Sequence, residues 1–224
     1  MVTLRMSTHG IHLLQHLRRA TAAEHRRIER HPLVTPLSSG RIDVTVYARV
    51  LVAFLDFFLG LERRLRPELA GLSRPSMGPY PFLSRASLLQ ADLRDLDVGG
   101  AWSPCPGGSN RNLPAADCAD RVLGILYVLE GATQGGRVIA PRLREVLGLD
   151  ETCGARYFHL YRQRCWATYR DLVMARGERH DFAGVAAAGR ETFVALEGYL
   201  DAWWGVAPFP AQAVPAGRVG TNGG

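Results

Sequence analysis

Apolar residues recur at intervals of three and four along most of the chain, and no alternating run long enough for a useful strand interrupts them. The pattern predicts a first helix from about His12 to His31, stopped by Pro32, which cannot continue the hydrogen-bond ladder. Thr35–Gly40, carrying Pro36 and Gly40, reads as a loop. Asp43 is placed to cap a long second helix through YARVLVAFLDFFLGLERRL, ending near Pro67. Ser73–Pro81 reads as loop, Arg85–Leu96 as a short amphipathic helix, and Val98–Pro114, rich in Gly, Pro and Ser, as a mobile internal loop. A fourth helix opens at Asp117 and runs past Leu147 to a stop at Gly148; a fifth follows from about Thr152 to Arg176, and a sixth from about Asp181 to Trp204. The expected fold is therefore all-α and single-domain: a flexible N-terminus over 1–11, a helical domain over 12–204, and a tail over 205–224 too poor in apolar residues to pack.

Two features of that pattern carry chemistry. At about 100° per residue, Leu14, Leu17, Thr21, His25 and Ile28 fall inside one window of about 80° on the first helix, so His25 is expected to face inward while His12 and His16 face water. Glu29 lies one turn beyond His25, where a carboxylate can hold the second ring nitrogen and fix the tautomer, as metal-ligating histidines need. A core histidine satisfied by a hydrogen bond is the alternative. In the fourth helix, VLGILYVLEGATQGGRVIAPRL, Gly124, Gly131 and Gly135 fall within about 40° of one another, with Gly136 adjacent. Each mid-helix glycine costs roughly 1 kcal/mol against alanine, so something must gain from the missing side chains. Either a neighbouring helix packs closely, or a flat ligand lies against the bare backbone, with the Gly135–Gly136 pair kinking the helix. An inward histidine on one helix and a bare glycine face on another together suit a planar metal macrocycle.

Composition narrows the field only slightly. At 224 residues and 47% hydrophobic, the chain is long enough to bury a self-sufficient core. No run of 18 apolar residues and no signal-peptide core are present, so the expected location is the cytoplasm, without membrane insertion. Cys105, Cys118, Cys153 and Cys165 form no CxxC pair and are read as free thiols. All 27 cationic residues are arginine and the net charge is +6. They are spread along amphipathic segments rather than gathered in one tract with interleaved aromatics, which argues against nucleic acid.

Three segments resemble the heme oxygenase family, particularly its bacterial, bacteriophytochrome-associated branch. LRRATAAEHRRIE at Leu17–Glu29 is similar to the proximal helix, its motif histidine falling on His25; GILYVLEGATQGGRVIA at Gly124–Ala140 is similar to the distal helix; HLYRQRCWATYRDL at His159–Leu172 resembles the later helix that supplies a cation to the haem propionates. The resemblance implies a helical bundle with haem, both cofactor and substrate, held between the proximal and the kinked distal helix. It implies His25 as the iron ligand, Glu29 as its partner, and Arg18 and Arg162 as propionate contacts. Gly131, Gly135 and Gly136 would form the catalytic distal face. Ala132 stands where animal-type members carry a distal aspartate, and Phe158 where they carry a second basic residue. The implied reaction cleaves haem to biliverdin, iron and carbon monoxide with O2 and electrons from a ferredoxin or flavoprotein reductase, a bacteriophytochrome being a candidate acceptor of the product. A non-catalytic haem carrier of the same fold, or a related helical enzyme of thiamin or quinone-cofactor chemistry, remains as an alternative. His159 and His180 carry no motif that separates them from surface histidines.

Overall fold

The computed structural model describes residues 8–69, 72–74, 78–97, 112–176 and 180–206. Nine α-helices account for nearly all of their regular structure: α1 (Thr8–Ala20), α2 (Ala22–Arg30), α3 (Thr35–Ser39), α4 (Val44–Leu69), α5 (Arg85–Asp95), α6 (Ala119–Ala132), α7 (Gly136–Leu147), α8 (Cys165–Arg176) and α9 (Phe182–Trp204). Ser73–Arg74 and Gly78–Pro79 form a two-residue antiparallel pair, β1 and β2. Most of the expected mobile loop (98–111 of 98–114) and most of the expected tail (207–224 of 205–224) lie outside the described residues.

The bundle is organised around α4 and α9. Helix α4, at 26 residues about 39 Å long, buries Tyr47, Leu51, Phe54, Phe58, Leu61 and others on almost every side. It is the one helix among the described residues long and apolar enough to cross a membrane, and its neighbours bury most of that surface. Asp43 caps it as expected, accepting the Val46 N–H at 2.8 Å. Helix α9, capped by Asp181 through the Ala183 N–H at 3.1 Å, packs against α1, α2, α4 and α6. Its closest partner is α6, where small residues let the backbones meet: a methyl group on Gly124 would collide with the Val185 carbonyl oxygen.

Four sequence expectations change in the folded chain. The first helix is two: at Thr21 the backbone leaves the helical region (φ −106°, ψ 3°). The Thr21 hydroxyl bonds back to the Leu17 carbonyl at 2.8 Å, an interaction that bends helices. The first helix also begins at Thr8, inside the stretch expected to be flexible, because Gly10 packs against Val173 and Met174 of α8. Thr35–Ser39 is a short helix rather than loop. The expected fifth helix is also broken, into a 3-10 turn at Tyr157–Arg162 and α8, with extended backbone at Gln163 between them (φ −79°, ψ 157°). The Gly148 stop is as expected: φ is +69° and the Gly148 and Leu149 N–H groups close a Schellman pair onto Arg144 and Leu143.

Candidate functional site

Helix α2 lies along α9 at the edge of the bundle and buries none of its residues fully. The Arg27 guanidinium binds both oxygens of Glu197 through Nε, at 3.0 and 2.9 Å. At its C-terminal end His31, almost fully buried, lies 3.2 Å from Asp201 through Nε2 and accepts the Leu33 N–H on Nδ1. These two contacts fix the helix that carries His25.

The His25 side chain is 54% exposed, contrary to the inward-facing expectation. The i→i−4 bonds continue through Thr21 (3.0 Å on either side), and the inward face runs through Leu17, Thr21 and, in part, Glu24 and Ile28, which leaves His25 at its exposed edge. The edge of its ring meets Phe193 at 5.6 Å. Its Nδ1 is 3.6 Å from the Glu29 carboxylate, within ionic reach but beyond a direct hydrogen bond. Nε2 has no hydrogen-bond partner among the described residues.

The distal segment runs from α6 through a 3-10 turn, Thr133–Gly135, into α7. The glycine pair expected to kink the helix lies at the junction of this turn with α7. The turn is closed by the Thr133 hydroxyl donating to the Glu130 carbonyl at 2.6 Å. The four glycines have separate roles. Gly124 faces α9, and a methyl group on Gly136 would strike the Phe158 carbonyl oxygen and the Tyr161 ring, so helix packing accounts for both. The reading of Gly136 as part of a catalytic face is corrected accordingly: it is buried against the Tyr157–Arg162 turn. A methyl group on Gly131 would meet only Trp166, at 3.7 Å, and one on Gly135 only Ile139, at 4.0 Å. Packing requires neither glycine. Gly135 and Ala132 are exposed, and Gly131 is half-buried.

Behind this turn lies a polar cluster that sequence reasoning missed. Glu130, 1% exposed, accepts the Tyr80 phenol at 3.0 Å and Arg85 Nη2 at 2.5 Å. Arg85 is also 1% exposed, and its guanidinium lies over the Phe82 ring at 4.6 Å. Burial, reinforced by Glu130, pushes the Tyr80 phenol and the Cys165 thiol above their ordinary ranges. The available signal was a single carboxylate, Glu130, inside the apolar run VLGILYVLEGA.

Beside the distal segment a groove of about 430 Å³ opens between α1, α6 and α8. Leu14 and Arg18 line it from α1, Tyr127 from α6, and Trp166 and Arg170 from α8. Both arginines are exposed and, among the described residues, neither has a carboxylate within ion-pair distance. Burial raises the Tyr127 phenol, with the Thr21 hydroxyl and Arg18 opposing. Arg162, which the resemblance implies as a propionate contact, does not line this groove; its guanidinium pairs with Glu151. Arg170, inside the same HLYRQRCWATYRDL segment, lines the groove together with Arg18. Phe158 is a core residue packed on Tyr47 and Phe54. Neither His159 nor His180 is on the surface: His159 lies between the Ala155 carbonyl (2.8 Å) and Glu151 (3.2 Å), and His180 is 2.8 Å from Asp120. Cys118, Cys153 and Cys165 are free thiols, as expected, and Cys105 lies outside the described residues.

The donor set is of the kind a flat iron macrocycle with acidic substituents needs: an accessible imidazole, two glycines that no packing contact among the described residues demands, and, lining a groove, two guanidiniums with no carboxylate partner among the described residues.

The chain is similar in fold to the heme oxygenase of Leptospira interrogans (TM-score 0.66, 21% identity, 84% of this chain and 98% of that one). It is equally similar to the NO- and CO-bound heme oxygenase of Neisseria meningitidis (TM-score 0.66, 20% identity, 91% and 97%). A heme oxygenase of Xanthomonas campestris pv. campestris (strain 8004) is 35% identical over 115 residues, which is 50% of this chain and 62% of that relative's length. The heme oxygenase family profile matches residues 11–195, and on that match the chain belongs to the heme oxygenase family.

Proposed function

We propose that this chain is a haem-degrading oxygenase that converts haem to biliverdin, with release of iron and carbon monoxide. The observation that carries this reading is the contrast among the glycines: Gly124 and Gly136 are demanded by packing, Gly131 and Gly135 are not. Two helix-weakening residues kept without a packing need, at roughly 1 kcal/mol each, point to a ligand against the backbone.

Haem, when bound, supplies the iron that activates oxygen and the ring that is oxidised. The protein's part is to bind and orient. His25 Nε2 would hold the iron, and Glu29, near Nδ1, would keep the imidazole in the tautomer with that lone pair free. Arg18 and Arg170 would hold the two propionates at the mouth of the groove, fixing rotation about the iron axis. Gly131, Gly135 and Ala132 would leave the distal side bare, so that its polar groups are backbone amides and carbonyls with the water they hold. No aspartate stands there. Electrons would come from an acidic ferredoxin or a flavoprotein reductase, which the net charge of +6 favours. The sequence likeness to the bacteriophytochrome-associated branch supports a photoreceptor as acceptor of biliverdin, in the cytoplasm.

The test is a single-turnover reaction of protein, hemin, reductant and air, followed by absorption and pigment extraction. The expected result is a Soret band that decays into extractable biliverdin, with loss of turnover in His25→Ala. Gly135→Leu should keep hemin binding and lose most of the biliverdin. A stable Soret band under several reductants would instead support the haem-carrier reading, which Ala132 favours. No saturable hemin band would sink both readings.

A further inference from the structure

We infer that Trp166 is a ligand-contact residue of this chain, an aromatic wall that sets the in-plane seat of a tetrapyrrole; this rests on the functional reading above. Trp166 lies one helical turn before Arg170, on the same face of α8, and both line the groove opposite Arg18. Its ring also reaches the distal segment, standing next to Gly131. The indole therefore spans the interval between the charged mouth of the groove and the bare glycine backbone. A flat macrocycle anchored by two carboxylates on Arg18 and Arg170 and directed toward the glycines has to pass along it.

The wall is rigid. Trp166 stacks on Tyr169 at 5.5 Å and 21°. Tyr169 is fully buried and donates its hydroxyl to the Leu123 carbonyl at 3.1 Å. On the other side Tyr127, half-buried, meets the indole edge at 5.8 Å. Trp166 itself stays half-exposed. A half-exposed indole held between a buried and a half-buried tyrosine, at a groove whose two arginines have no carboxylate partner among the described residues, is an apolar, planar recognition surface. The ligand class it selects is a planar aromatic dicarboxylate. Because the contact fixes one edge of the macrocycle, it also bears on which edge is presented to Gly131 and Gly135.

The test uses zinc protoporphyrin, which binds without oxygen chemistry, with Trp166→Phe and Trp166→Leu compared with the unaltered chain. Both variants keep apolar bulk, so folding is preserved, while only phenylalanine keeps a π face. Affinity is read from porphyrin fluorescence and seating from the Soret-region circular dichroism of the bound porphyrin. The expectation is about tenfold weaker binding and a collapsed or altered dichroic band in Trp166→Leu, with most of both recovered in Trp166→Phe. Equal affinity and an unchanged dichroic band in Trp166→Leu would overturn the inference. Equal loss in both variants would also overturn it, since it would mark a shape effect without a stacking contact. A parallel hemin titration of the unaltered chain separates the two levels: failure there rejects the functional reading, whereas success with indifferent variants rejects only the role of Trp166.

Discussion

A methyl group at Gly136 would run into the Phe158 carbonyl oxygen, whereas one at Gly135 would meet only the end of Ile139 at 4.0 Å. The two positions are adjacent, and both have helical backbone angles (φ −56° and −59°) that any residue tolerates. Their responses to alanine should therefore differ in sign. Gly135→Ala removes a flexible residue from a helical segment and should stabilise the ligand-free chain by about 0.5–1 kcal/mol. Gly136→Ala and Gly124→Ala push helices apart and should destabilise it by about 1–3 kcal/mol. Urea unfolding of the three variants checks this; a Gly135→Ala chain as unstable as Gly136→Ala would mean that packing demands all of them. Such a distinction is closed to helical phase alone, because a stripe of glycines reads the same whether a helix or a ligand lies against it.

At the scale of elements, the long helices were legible because their ends are written locally: Asp43, Asp181 and Gly148 sit at the positions where a side chain or a left-handed residue closes the ladder. The breaks were not legible, because distant residues cause them. The Tyr157–Arg162 turn is pinned by Asp92 of α5, which accepts the Arg156 and Tyr157 N–H groups, each at 2.9 Å. A partner more than sixty positions away leaves no trace in local periodicity. The same holds for the distal kink, whose lower end is fastened by Glu130 to Arg85 and Tyr80. Both members of that ion pair are almost wholly buried, so removing one strands the other's charge. Glu130→Leu alone should cost about 3–5 kcal/mol, while Arg85→Met with Glu130→Leu should recover most of that loss. Thermal unfolding of the two single variants and the double variant measures the coupling. Purely additive losses would show that the pair does not act as a unit.

The groove exists only at the scale of the whole molecule, since three helices distant in sequence must meet before Arg18 and Arg170 face one space. The family resemblance implied Arg18 and Arg162 as the propionate contacts; in the folded chain Arg18 and Arg170 line the groove and Arg162, from the same segment as Arg170, does not, which is why Arg170 is the proposed carboxylate contact. The two arginines of that segment now differ in kind. Arg162 is paired with Glu151, while Arg170 has no acidic partner among the described residues and lines the groove. If carboxylates of the ligand bind there, Arg170→Gln loses a charge-assisted hydrogen bond of about 1.5–3 kcal/mol, which lowers hemin affinity by about tenfold or more. Arg162→Gln should leave it unchanged. Because both groove arginines are exposed, the attraction is screened. Affinity of the unaltered chain should therefore fall as salt rises, and that of Arg170→Gln should fall less steeply. Hemin titrations at two ionic strengths decide the matter. A loss in Arg162→Gln with none in Arg170→Gln would move the carboxylate site away from the groove, and with it the rotation of the macrocycle on which the choice of cleaved edge depends.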